Sequence, residues 1–342
     1  MSRMGEVAVG EAEELETVLE DTDSLAIVCH YQPDPDCLAS AYALQWIAAR
    51  NGVTNTDIFY QGHITHQEIR SFIGIFDISL QEIDDASLES YDIVAFVDHS
   101  ISGTEVEIPP TVDADVVIDN VEPPGDPDAS FVDTRPEYGS TAAILAEYVT
   151  NWDDDPPELV ASALLFAIHR ERLDDVRYPT RLDYRAALDL FPYADIDLIE
   201  EVYGSSLTPE TLDAVGRAIH HRTMRGSVLV SSIGQTSDSG ALPQAAEYLL
   251  RLEGIRTVLV MGVVNGDLWL SGRSFDPRID IGMALNGAFS EFGTAGGHQD
   301  RAGGQLSLGI FADTDMDSPV INERLFQIVA DRFFRTLALD ED

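Results

Sequence analysis

SLAIVCHYQPDPDC, Ser24 to Cys37, is the stretch on which the reading of the whole chain turns. Ser24 to His30 is a short apolar run ending in a histidine, the pattern of a buried strand. CLASAYALQWIAARNG, which follows it, has the spacing of a helix that stops at Gly52. Between them lies His30-Tyr31-Gln32-Pro33-Asp34-Pro35-Asp36, an H-x-x-x-D-x-D arrangement on a strand-to-helix turn. An imidazole and two carboxylates at the carboxyl end of a parallel strand stand where open α/β sheets bind ligands. Oxygen donors with one imidazole suit Mn2+ or Mg2+ better than a closed zinc site. Taken alone, the same residues also fit a plain turn with Asp36 as a helix N-cap.

Working outward, TNTDIFYQG, YDIVAFVDHS and ADVVIDN read as further strands, the last two ending in Asp98-His99-Ser100 and Asp119-Asn120. Continuous apolar runs of this kind suit a parallel sheet covered on both faces. Three strand ends that each deliver an aspartate favour a metal site over a capped turn. A loop, EPPGDPD, leads to a short strand at Ser130 to Asp133 and a helix opening at Ser140, and the chain stays helical through SALLFAIHRERL and from about Ala186 to His221. The texture then changes: GSVLVSSIG, TVLVMGVVNGDLWLSGRS and QLSLGIF are strand-rich, with a hairpin signal at Asn265-Gly266. The expected fold is α/β in two domains: residues 1–195 around a parallel sheet, a helical connector over 196–221, and a smaller mixed α/β domain over 222–342.

The chain has 342 residues and a formal net charge of −41, and all 20 of its basic residues are arginine. At ~1 M salt the Debye length falls to roughly 3 Å, so such a surface repels itself little there. A salt-rich cytoplasm, as in halophilic archaea, is the setting this implies. The acidic N-terminus has no secretory signal, and no apolar run is long enough for a membrane helix. Long duplex binding needs a basic stripe that this charge excludes, so an anionic substrate should be small and met locally by arginines. Cys29 and Cys37 are too few for a disulfide framework and read as buried free thiols.

With these motifs on the page, the chain resembles the DHH/DHHA1 phosphoesterases, which include RecJ-type exonucleases, nanoRNases and phosphatases of small nucleotides. HYQPDPDCLAS is similar to the family's first motif, FVDHS to its second, and YGSTAAIL to its Ser-Thr segment. SGRS and GGHQDRAGG resemble the substrate-binding signature of the DHHA1 half. The resemblance runs over nearly the whole chain in the right order. It implies that His30, Asp34 and Asp98 hold one metal, that Asp36 shares a second with Asp98, and that Asp34, Asp36 and Asp98 are catalytic. One or two Mn2+ or Mg2+ ions are the implied cofactor.

One motif departs from the pattern. Where the family has Asp-His-His, this chain has Asp119-Asn120-Val121. By resemblance the first of those histidines ligates the second metal and the other contacts phosphate, so Asn120 offers a weaker ligand and Val121 none. Asp119 is then a partner behind the ligands. Glu171 aligns with the family's last ligand, with Asp174 as its fallback, and His99 or His169 are substitutes if they are not ordinary structural histidines. Expected substrate-binding residues are Ser140, Thr141, Arg273, Gly296, Gly297, His298 and Arg301, the glycines forming a phosphate-cradling nest. Arg170, Arg172 and Arg177 are read as salt-bridged surface or as cleft residues. The implied activity is metal-dependent hydrolysis of short single-stranded oligonucleotides, linear dinucleotides or nucleotide phosphates. The alternative is a noncatalytic nucleotide-binding sensor or regulator. A homodimer is compatible with either.

Overall fold

The structure, a computed structural model, describes residues 4–62, 64, 66–83, 88–99, 114–123, 125, 127–151, 155–173, 179–204, 208–297, 299–309 and 319–338. His298, Asp174 and Arg177 therefore lie outside the described residues. The chain forms two compact units, Met1–Ile64 with Glu68–Ser205, and Thr65–Gln67 with Ser206–Asp342.

The first unit begins with α1 (Met4–Leu19), β1 (Ser24–Tyr31), α2 (Pro35–Arg50), β2 (Asn55–Gln61), α3 (Gln67–Ile75) and β3 (Leu80–Glu82). It continues through β4 (Ile93–Val97), β5 (Val116–Asp119), β6 (Phe131–Thr134), α4 (Thr141–Thr150), α5 (Glu158–Ile168), α6 (Arg181–Leu190) and α7 (Ile196–Tyr203). The strands form one sheet in the order β3-β2-β1-β4-β5-β6, and every pairing is parallel. Alternation along β1 explains its two-sided burial. Leu25, Ile27 and Cys29 join the main core with α1, α2, α4, α5 and α6, while Ala26 and Val28 face a second cluster with Phe59, Phe96 and Val117. The order reverses direction between β1 and β4, and in doubly wound sheets ligands bind at that reversal, beyond the carboxyl ends of the strands.

The second unit runs α8 (Pro209–His220), β7 (Arg222–Arg225), β8 (Val228–Gln235), α9 (Ala241–Leu250), β9 (Thr257–Val264) and β10 (Asp267–Ser274). α10 (Ile281–Phe289), β11 (Gly293–Gly297), β12 (Arg301–Ser307) and α11 (Pro319–Thr336) complete it. Its sheet, ordered β11-β12-β10-β9-β8-β7, is mixed: β8 and β9 run parallel and the other pairs are antiparallel. Asn265 and Gly266 both take positive φ, 50° and 87°, and close the expected two-residue hairpin between β9 and β10.

The segment read as a separate connector is divided between the units. Ile199 and Val202 of α7 pack into the first core, and Ala214, Val215 and Ala218 of α8 pack into the second. The break falls at Ser205/Ser206. Each helix is amphipathic and needs a core of its own, so neither acts as a free-standing link.

Candidate metal centre

β1 delivers His30 to the reversal point, and two features turn the chain sharply after it. Gln32 adopts φ 53°, and Pro35 occupies the first turn of α2. A proline at the first helical position makes the residue before it the cap. Asp34, not Asp36, is accordingly the N-cap, its Oδ1 accepting the N–H groups of Asp36 at 3.0 Å and Cys37 at 3.2 Å. The neighbouring strand β4 ends at Val97, and Asp98 follows in the left-handed region at φ 62°, its N–H donating to the Ile118 carbonyl at 2.9 Å. A non-glycine residue held there costs on the order of 1 kcal/mol or more, and such strain gathers at functional sites.

These turns bring three side chains together. His30 Nε2 lies 3.5 Å from Asp98 Oδ2 and 3.8 Å from Asp34 Oδ1. His30 Nδ1 sits 3.0 Å from the Tyr31 carbonyl, which can only accept, so Nδ1 carries the proton. Nε2 therefore faces the two carboxylates, an arrangement that calls for positive charge between them, supplied by a second ring proton or by a bound cation. The imidazole's basicity reports the same demand. Burial would lower its pKa, but the two carboxylates outweigh burial and hold it well above the usual histidine value. Cys37 adds a sulfur: the ligand atoms of His30, Cys37 and Asp98 lie within 4.8 Å of one another, a group that can hold a metal ion.

α4 supports the group from behind. Thr141 is fully buried, and its hydroxyl donates to Asp98 Oδ1 at 2.8 Å and contacts Asn120 Oδ1 at 3.2 Å. The N–H groups of Thr141 and Ala142 donate to the two oxygens of Asp36 at 3.1 and 2.7 Å. Asp36 thus bridges the starts of α2 and α4. Burial first, and then Asp98, Asp34 and Glu171, push its carboxyl well above the ordinary range. Ser140, also fully buried, caps α4 by accepting the N–H of Ala143. Ser140 and Thr141 were read as substrate contacts; both hydroxyls are turned to protein groups.

The altered third motif belongs to the same network. Asn120 donates its side-chain amide to the Tyr138 carbonyl at 3.4 Å and its backbone N–H to the Thr141 hydroxyl at 3.3 Å. Asp119 is buried and accepts the N–H of Val121, while Val121 is 61% exposed. α5 ends in a π-helical turn, His169–Leu173, a feature frequent at functional sites. This turn carries Glu171, whose carboxylate lies 3.6 Å from Arg172. Arg172 also donates to the Gly139 carbonyl, and Arg170 pairs with Glu68 at 2.7 Å, so these arginines are engaged as salt-bridged groups. The Gly139 N–H goes to fully buried Asp183 at 2.8 Å. A Cβ at Gly139 would meet Asp183 Oδ2 at 2.3 Å, so only glycine fits this clamp before α4. His99 is buried, with Nδ1 2.9 Å from the Val97 carbonyl and its ring against Phe96. Burial brings its pKa down to about 3.

Within the second unit, Arg273 on β10 and Arg301 on β12 are directly opposed in the antiparallel register, so their side chains share a face. Arg273 lies 3.7 Å from Glu247. Like charges placed opposite one another destabilise a sheet unless an anion lies near. Gly296 and Gly297 are not a free nest: they pair with Gly303 and Ala302 as strand β11. Gly297 has φ 148°, and a Cβ there would meet Ala302 Cα at 2.6 Å.

A family model, the DHH family N-terminal domain, matches residues 24–168, the segment that carries His30, Asp34, Asp98 and α4. That segment of the chain is similar to the DHH family N-terminal domain. An uncharacterized protein of Methanocaldococcus jannaschii is 32% identical over 320 residues, 93% of this chain, and this chain spans 65% of that relative's length. Among solved structures, an exopolyphosphatase-related protein from Bacteroides fragilis superposes with a TM-score of 0.74 at 15% identity, over 97% of this chain and 98% of its own. The exonuclease RecJ bound to manganese superposes with a TM-score of 0.53 at 15% identity, over 98% and 95%. At those identities the likeness establishes the fold alone: a parallel α/β domain followed by a mixed α/β domain. Among the described residues, no helix is long and apolar enough to cross a membrane.

Two features of this domain escape the sequence reading. Thr141 holds Asp98, a link across 43 positions that no local pattern reveals. Cys37, read as an inert thiol, places its sulfur among the ligand atoms; its position directly after the Asp-x-Asp element was the available signal.

Proposed function

We propose that this chain is a divalent-metal-dependent phosphoesterase that hydrolyses short oligonucleotides, linear dinucleotides or nucleotide phosphates. The observation that carries the reading is the convergence of His30 Nε2 on Asp34 and Asp98 at the reversal point of the sheet. The donor set fits a divalent cation: one imidazole whose Nε2 faces two carboxylates, with its other nitrogen held at the Tyr31 carbonyl. His30, Asp34 and Asp98 would hold Mn2+ or Mg2+, with Asp36 contributing to a second ion through lone pairs its backbone donors leave over. Such an ion supplies Lewis-acid polarisation of a phosphoryl oxygen and makes water acidic enough to attack.

The protein's own contribution is placement. Thr141 fixes one Asp98 oxygen so that the other faces His30, and Asp34 is locked by the start of α2. His30, Asp34 and Asp98 are each only 12–18% exposed, which keeps bulk water scarce around them. Arg273 and Arg301 of the second unit would bind a phosphate group. The names of the two solved relatives, an exopolyphosphatase-related protein and an exonuclease, support phosphate-bond hydrolysis as the reaction class. A net charge of −41 favours a short substrate over a long duplex.

A second reading, a noncatalytic nucleotide-binding regulator, is favoured by one observation. Asn120, where the family's third motif has a histidine, spends its side chain on Tyr138 and Thr141. Hydrolysis of a panel of pApA, short RNA and DNA oligomers and 3′-phosphoadenosine 5′-phosphate, in ~2 M KCl with Mn2+, separates the two. Turnover that disappears in Asp98→Ala, together with Mn2+ binding, is expected. A folded protein that binds nucleotide and turns over nothing would establish the regulator instead.

A further inference from the structure

We propose that Cys37 is a metal ligand of this site, so that the centre takes its ion through a thiolate, an imidazole and carboxylates and selects a thiophilic divalent ion over Mg2+. The inference deepens the proposed function and rests on its reading that His30 and Asp98 hold an ion. Three observations carry it. The Cys37 sulfur, His30 and Asp98 offer ligand atoms within 4.8 Å of one another. The position of Cys37 is fixed from both sides: its N–H donates to Asp34 Oδ1 at 3.2 Å, and its Sγ lies 3.4 Å from the carbonyl of Val97, the residue before Asp98. Finally, Cys37 is fully buried in the first turn of α2, beneath carboxylates that water reaches only partly, where a soft donor meets little competition from solvent.

A hard site of carboxylates and one imidazole suits Mg2+ and Mn2+, whereas sulfur selects Zn2+, Co2+ or Fe2+. Mg2+ keeps its waters and takes oxygen ligands, so it gains nothing from the thiol. On binding, the Cys37 S–H bond breaks, an Sγ–metal bond forms, and one proton passes to the buffer. No electron is transferred. Cys29, on β1, stands outside the ligand group, which makes it the internal control.

The experiment is Co2+ titration of the full chain, reading near-ultraviolet sulfur-to-cobalt charge transfer beside binding by calorimetry, with Mg2+ titrated in parallel. Wild type and Cys29→Ser should both show the charge-transfer band at one Co2+ per chain. Cys37→Ser should lose the band and at least roughly 10- to 100-fold in Co2+ affinity, no less than loss of an outer hydrogen-bond partner costs a metal site. Its Mg2+ affinity should change far less. Co2+ that binds wild type without the band, or a band that survives in Cys37→Ser, overturns the proposal and leaves the metal reading standing. Co2+ that fails to bind wild type, or that binds Asp98→Ala unchanged, overturns the metal reading and this proposal with it.

Discussion

Thr141→Val tests whether α4 holds the centre in shape. The two side chains have the same branching and nearly the same volume, so the substitution removes a hydroxyl and little else, which in a buried place is not neutral. The hydroxyl donates to Asp98 Oδ1 at 2.8 Å and accepts the Asn120 N–H at 3.3 Å. A hydrogen bond to a charged group contributes about 1.5–3 kcal/mol, and the longer bond, left unmade in a buried place, adds about 1 kcal/mol. Valine's apolar burial offsets part of that, leaving a net loss of about 2 kcal/mol, measurable by urea denaturation in high salt. The larger signal belongs to the ion. Freed of Thr141, Asp98 can rotate its carboxylate off His30, and Mn2+ affinity should fall roughly 10- to 100-fold, equivalent to about 1.4–2.7 kcal/mol. Thr141→Ser keeps the hydroxyl and loses one methyl group, about 1 kcal/mol of burial, so it should restore ion binding without full stability. Mn2+ binding within twofold of wild type in folded Thr141→Val would refute the reasoning.

Two further outcomes are expected. Replacing Arg273 or Arg301 by alanine should weaken binding of a nucleotide phosphate roughly 10-fold or more, as loss of one charge-assisted hydrogen bond does. Metal affinity should stay unchanged, and because the two arginines oppose each other in the register, stability should not fall; unaltered nucleotide affinity would remove them from the site. Asp276 is held down to about 2 by Arg278, which bonds it at 2.8 and 2.6 Å. A folded-state pKa below the ordinary carboxylate value stabilises the protein above roughly pH 4, and that contribution is lost as pH falls toward about 2. Arg278 is open to water, so solvent screens much of what the pair contributes. Asp276→Asn should flatten the acid limb of the stability profile over that window, and a limb of unchanged slope would show that the pair contributes nothing.

How much of this was legible beforehand depends on distance along the chain. β1, β4 and β5 could be read because a strand buried on both faces is an unbroken apolar run, and their last residues named His30, Asp98 and Asp119 directly. The plain-turn alternative puts the cap at Asp36, but Pro35 at the first helical position makes it Asp34. Gly296 and Gly297 were read as a phosphate loop. They are strand residues because Gly297 must approach Ala302 closer than any side chain allows. What no pattern conveys is contact across the fold. Thr141 reaches Asp98 over 43 positions and Cys37 reaches Val97 over 60, and only the order of the sheet brings those pairs together.

The same network accounts for why the chain tolerates its altered third motif. A histidine simply lost from a buried strand end would leave polar groups unpaired at a cost of about 1–3 kcal/mol each. Asn120 avoids that cost. Its amide donates to Tyr138, its carbonyl meets the Thr141 hydroxyl, and its backbone N–H donates to the same hydroxyl. Thr141 is thereby held in the rotamer that serves Asp98. The residue that no longer resembles a ligand has become part of the support for one that does. Val121 shows the converse, since it is 61% exposed and offers no charge to a phosphate. Within the second unit, Arg273 and Arg301 stand opposite each other in the register, with Glu247 near Arg273. Asn120 and Thr141 thus keep the third strand end fully bonded without a histidine, and Thr141 is the residue through which that packing reaches Asp98.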